Sequence, residues 1–119
     1  VEGRSIVALC VSDDVAWFEF KELCDGPRSQ NDYIELAREF HAVLISNIPQ
    51  MSITTENQAR RFINLVDEFY DRNVKLVLSA EVSLELLYIG TKLRFEFERT
   101  QSRLLEMQSH DYLARGHKP

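Results

Sequence analysis

Arg99 and Arg103 stand four residues apart in Phe97-Glu98-Arg99-Thr100-Gln101-Ser102-Arg103-Leu104, a spacing that puts both guanidinium groups on one face of a helix. Like charges so placed repel by ~0.2–0.5 kcal/mol unless an anion sits between them. Glu96 and Glu106 could supply that anion from the same helix. The chemical alternative is a phosphate, or a carboxylate of a neighbouring subunit, gripped by the planar fork of donors. Spacing alone leaves both readings open. Arg60-Arg61 raises a similar question at the first turn of a long helical pattern, where cations oppose the helix dipole and point to an acidic partner.

Other chemistries find less support. A phosphate loop needs glycines that let backbone N–H groups approach phosphate, followed by Lys-Ser/Thr. None of Gly3, Gly26, Gly90 and Gly116 precedes a lysine, and Gly90-Thr91-Lys92 has the letters in the wrong order. Ile63-Asn64-Leu65-Val66-Asp67-Glu68 imitates the apolar run of a Walker B strand. Its 3.6-residue period, with Glu68 and Arg72 spaced as an i,i+4 ion pair, predicts a helix instead. Ser46-Asn47 stands where α/β proteins gather ligands, at the carboxyl end of a strand, but a turn before Ile48-Pro49 accounts for it without chemistry. Cys10, Cys24, His41, His110 and His117 show no zinc-like spacing, and Asp13-Asp14 suits a hairpin turn. The expectation is a chain with no catalytic residue, metal site or cofactor site of its own.

The elements that must carry these residues read as α/β. Residues 5–11 and 15–20 form a predicted β-hairpin across Asp13-Asp14, and residues 21–31 carry loop chemistry. A short helix is expected over 32–40, capped by Asp32. The apolar run 41–46 predicts a buried strand. Thr55-x-x-Gln58 reads as a capping box for a helix to about Asn73, and residues 74–79 form another buried strand. Strand, capped helix and strand make a right-handed, parallel βαβ unit. Residues 82–89 suit a helical turn or loop packing. Alternation of Leu93, Phe95 and Phe97 suggests an extended entry to a closing helix over 98–115.

Length and composition bound the rest. A chain of 119 residues is one domain, and 45% hydrophobic with 28% charged residues excludes a disordered segment. Fourteen basic against nineteen acidic residues give a net charge of −5, which disfavours nucleic acid as partner. No apolar run approaches the ~20 residues of a membrane span, so no integral membrane segment is expected. Both cysteines neighbour apolar residues and read as buried thiols of a reducing, cytoplasmic compartment. Val1-Glu2-Gly3-Arg4 runs straight into the first strand, as in a fragment of a longer protein. Composition also suits a free-standing acidic protein-interaction module without enzymatic activity.

Three blocks carry a more specific signal. They are Phe20 to Cys24 with Pro27-Arg28-Ser29 and Asp32-Tyr33; Ala59 to Asp71 continuing through Val74-Lys75-Leu76 to Ser79-Ala80-Glu81; and Phe97 to Ser109 with Tyr112-Leu113. In this order they resemble the C-terminal region of the AFG-one-type P-loop ATPases of bacteria and mitochondria, nearest the bacterial cell-division branch. The resemblance covers almost the whole chain. It implies the C-terminal part of a P-loop NTPase whose Walker motifs lie upstream. ATP and Mg²⁺ would be cofactors of the full-length enzyme, and this chain alone would not hydrolyse ATP. It further implies packing on the upstream P-loop domain, a homo-oligomer, and a protein client, FtsZ for the cell-division branch. Arg99 and Arg103 become candidates for contact with the γ-phosphate or a neighbouring subunit. Arg60 and Arg61 stay candidates for partner contact.

Overall fold

The computed structural model describes residues 6–116. One sheet has the order β1–β2–β3–β4: β1 is Cys10–Val11, β2 Val15–Glu19, β3 Ala42–Ile48 and β4 Lys75–Ala80. β1 and β2 form the expected antiparallel hairpin, closed across Asp13-Asp14 by Ser12 N–H donating to the Val15 carbonyl at 2.9 Å. Its first strand is shorter than expected, because pairing covers Cys10 and Val11 with one more bond from Leu9 N–H to the Trp17 carbonyl (2.7 Å). Residue 5 of that expected strand lies outside the described residues. β2–β3 and β3–β4 are both parallel, so β3, the connecting helix and β4 form the expected parallel βαβ unit.

The helices are α1 (Phe20–Cys24), α2 (Gln30–Glu39), α3 (Glu56–Asp71), α4 (Arg94–Glu106) and α5 (His110–Ala114). Residues 21–31, expected as loop, carry most of α1 and the start of α2. α1 is a single turn whose Phe20, Leu23 and Cys24 are all buried. Packing stabilises it where propensity would not. α2 starts at Gln30 rather than Asp32. Ser29 is its N-cap, and Asp32 acts three residues on by accepting a 2.8 Å bond from Ser29 N–H. Both cap positions favour an acidic or hydroxylic residue, so composition alone placed the start too late. Thr55 likewise does not cap α3 with Gln58. Its hydroxyl accepts from Ser52 N–H at 2.9 Å and closes the 3₁₀ turn Ile53–Thr55.

Amphipathic α3 buries Ala59, Phe62, Ile63, Leu65, Val66 and Phe69, while its Asp67-Glu68 pair stands on a helix, as periodicity requires, and Glu68 pairs with Arg72 at 3.9 Å. Its end is a Schellman motif. Asn73 takes φ 56°, its N–H reaches the Tyr70 carbonyl (3.2 Å), and Val74 N–H reaches that of Phe69 (2.9 Å). The Asn73 side chain also donates to the Gly116 carbonyl at 3.1 Å. Asn73→Val, which forces a β-branched residue into left-handed backbone, is therefore expected to cost about 2 kcal/mol. Asn73→Gly should lose less than half of that; equal thermal midpoints for the two variants would show that φ is not the cause.

The closing helix departs most from expectation. Phe97 N–H donates to the Leu93 carbonyl (2.8 Å), so the 93–97 segment is helical, with Leu93, Phe97, Thr100 and Leu104 buried on one face. Phe95, whose hydrophobicity suggested alternation, is 81% exposed. Residues 107–109 interrupt the helix, and the Ser109 hydroxyl accepts from Tyr112 N–H to open α5. Leu84–Leu86 makes a 3₁₀ turn.

The helices share one core with one face of the sheet, that of Ala16, Phe18, Val43 and Ile45. The asparagine at position 47, at φ 60°, introduces an irregularity in β3 that returns Ile48 to this core. β4, expected as buried, is an edge strand with Val77 58% exposed. Cys24 is buried as expected, but Cys10 is exposed at the hairpin edge.

Candidate functional site

The arginines of α4 meet their anion on another helix. Arg103 Nη1 forms an ion pair with Asp67 Oδ1, and Arg99 Nη2 lies 3.5 Å from Asp67 Oδ2. The partner is neither Glu96 nor Glu106. α3 and α4 pack through Phe62 and Phe97, which brings Asp67 opposite the i,i+4 arginines. The pair is unequal. The Arg103 side chain is 27% exposed and stacks on the Tyr70 ring, 5.0 Å from its centroid. Arg99 is 55% exposed and held only by the longer contact. One carboxylate thus holds both guanidinium groups, Arg103 more closely than the more exposed Arg99.

Behind Arg103 the network continues. The Tyr70 hydroxyl donates to Glu106 Oε2 at 2.8 Å, and Arg115 Nη2 approaches the same oxygen at 3.5 Å. The bond to Glu106 holds the Tyr70 phenol above the usual tyrosine range. Tyr70 stacks on Tyr112 at 5.8 Å, and the buried Tyr112 hydroxyl donates to the Val74 carbonyl at 2.7 Å. Burial pushes that hydroxyl's pKa up. This side of the network binds α5 to the end of α3.

Arg60 and Arg61 occupy a separate place near the start of α3. Arg60 is exposed. Arg61 Nη1 donates to the Cys24 carbonyl at 3.4 Å, so its charge faces the carboxyl end of α1, where a cation is favourable. That contact answers the unfavourable position of Arg61 on its own helix. A shallow cleft of about 460 Å³ lies beside Arg61, walled by Asp25, Ile53, Thr54, Asn57 and Gln58.

At the carboxyl ends of β2 and β3, Asn47 Nδ2 donates to both Glu19 carboxylate oxygens (2.8 and 3.0 Å), and Trp17 Nε1 donates to Ser46 Oγ at 3.0 Å. The Ser46-Asn47 pair therefore ties strands together from inside β3, which runs on to Ile48, so the strand-ending turn expected here is instead an irregularity within the strand. Gly90 serves packing: a Cβ there would stand 2.4 Å from the Tyr88 hydroxyl. That hydroxyl donates to Glu56 Oε2 (2.6 Å) and accepts from Leu93 N–H (3.0 Å), joining the starts of α3 and α4. Among the described residues, no three His, Cys, Asp or Glu side chains gather as metal ligands. His41 lies at the surface, 3.7 Å from Asp14. His110's side chain and His117 lie outside the described residues. Also among the described residues, no helix is long and apolar enough to cross a membrane.

Sequence reasoning missed Asp67 as the arginines' partner. Its contacts lie 32 and 36 residues away in sequence, and no local spacing announces them.

The family model of the AFG1-like ATPases matches residues 1–116. The Escherichia coli K12 protein named cell division protein ZapE is 50% identical over 117 residues, covering 98% of this chain and 31% of the relative, in its C-terminal part. An uncharacterized protein of Schizosaccharomyces pombe is 42% identical over 74% of this chain and 19% of its own length. Lactation elevated protein 1 homolog B of Danio rerio is 32% identical over 98% of this chain and 29% of its own length. No solved structure matches. The chain spans less than a third of these curated relatives. A mixed α/β fold matched by this family model from Val1 to Gly116 places the chain plainly: it belongs to the AFG1-like ATPases, a family of P-loop NTPases.

Proposed function

We propose that the chain is the C-terminal region of a cytoplasmic, cell-division-linked ATPase, and that it couples hydrolysis in an upstream nucleotide domain to a homo-oligomer and a protein client. The family match over residues 1–116, in a chain equal to 31% of ZapE, carries this reading. ATP and Mg²⁺ belong to the full-length enzyme. Among the described residues, Gly90 is taken up by the Tyr88 ring and Gly26 makes a left-handed turn (φ 83°) followed by proline, which supports a phosphate cradle supplied by the upstream domain. Within that enzyme Arg99 and Arg103 lie toward phosphate or a neighbouring subunit, and exposed Arg60, with Arg61 behind it on the Cys24 carbonyl, lies toward a partner. FtsZ is the client if the cell-division role carries over.

ATP hydrolysis by this chain, with and without the upstream segment of the same gene, is the test. No turnover alone and turnover on joining are expected. Turnover by the 119 residues alone would overturn the reading. Absence of turnover in both would favour a non-enzymatic interaction module.

A further inference from the structure

Resting on the reading that this chain works within a longer ATPase, we propose that the helix-free face of its sheet is the docking surface for the remaining polypeptide, which covers it with the apolar side of a helix. Strand register places Cys10, Trp17, Leu44 and Val77 in one row, a single residue from each strand. Trp17 is 41% exposed, Val77 58%, and Cys10 is exposed. Val15 and Ala42 extend the same face. A groove of about 190 Å³ runs between Trp17, Leu44, Ser46, Val77 and Ser79.

The charges of this face are engaged at its rim. Glu19 accepts from Asn47, and Lys75 Nζ donates to the Asn73 (3.3 Å) and Arg115 (2.6 Å) carbonyls. What remains at the centre is uncharged and selects an apolar occupant. Parallel strands occur in sheets covered on both faces, with crossover helices of the same polypeptide as the cover. β2, β3 and β4 are parallel, yet the helices described here bury one face only. ZapE carries about two thirds of its length outside the matched region, ample to supply the second layer. A tethered segment also acts at an effective concentration that a free second copy does not reach.

Cys10 is a reporter at the edge of the row, and buried Cys24 is an internal control for folding. In the full-length protein, N-ethylmaleimide labelling read by peptide mapping is expected to modify Cys10 at least tenfold more slowly than in the denatured protein. Val77→Lys should restore fast labelling of Cys10 while Cys24 stays protected. Fast labelling in the native protein would overturn the proposal. Protection unaffected by Val77→Lys, or lost on dilution as for a second copy, would do the same. A full-length protein that protects Cys10 in this Val77-dependent way yet hydrolyses no ATP would support the docking face and overturn the functional reading alone.

Discussion

Phe62→Ala is expected to remove about 4 kcal/mol of folding stability, a large part of the ~5–15 kcal/mol typical of a domain. Phe62 is fully buried, with ring centroids 6.0 Å from Phe20 and 6.1 Å from Phe97; Phe97 in turn stacks on Tyr88 at 5.1 Å. This aromatic column joins α1, α3 and α4 to the segment whose tyrosine hydroxyl bridges Glu56 and Leu93. Truncating its middle ring leaves a cavity bordered by three elements, none of which can collapse without losing its own contacts. Phe95→Ala is the control, since that ring is 81% exposed and its loss should change stability by no more than about 0.5 kcal/mol. Guanidinium midpoints at unchanged m-value check both. Equal midpoints would mean that the column does not hold the helical layer together.

Arg99→Ala in the full-length enzyme is expected to lower kcat at least a hundredfold, with ATP affinity and melting temperature nearly unchanged. An arginine that stabilises charge on a transferring phosphoryl group contributes on the order of 10³–10⁵ in rate. An exposed ion pair contributes about 1 kcal/mol or less to stability. In the proposed role Arg99 acts as the first kind; it is 55% exposed and lies 3.5 Å from Asp67. Arg103→Ala should behave differently. It removes an ion pair and a cation–π contact on Tyr70 at partial burial, so stability should fall by about 1–2 kcal/mol alongside activity. Hydrolysis by both variants at the wild-type rate would reduce the pair to a clamp between α3 and α4.

Much of the central fold was legible from pattern alone. α3 repeats apolar residues over four turns, and the runs on either side are apolar strands. Signals of that length survive any local ambiguity, which is why the parallel unit and its helical Asp67-Glu68 were readable. Short or marginal elements were not. α1 is one turn held by Phe20, Leu23 and Cys24 beneath α3, and a single turn has no period to read. The start of α4 was obscured because exposed Phe95 carries the same hydrophobicity as buried Phe97. The start of α2 shifted because hydroxyl and carboxylate side chains serve either side of a helix start, whereas Thr55 stands at the N-cap of α3 as expected and only its hydroxyl turned back, to Ser52 N–H.

By itself the sequence determined the α/β class, the parallel unit around α3 and, through three long blocks in order, the family. These are properties of local periodicity and of residue identity, and they need no knowledge of distant contacts. Only the tertiary structure decided what the arginines answer to. Asp67 meets Arg99 and Arg103 because two helices pack, and a contact spanning more than thirty residues leaves no trace in spacing. The tertiary structure also decided that β4 is half-exposed and that Cys10, Trp17, Leu44 and Val77 align on an open face. An apolar strand reads the same whether its second face is covered by its own chain or awaits a cover, because hydrophobicity records what must be buried and not by what.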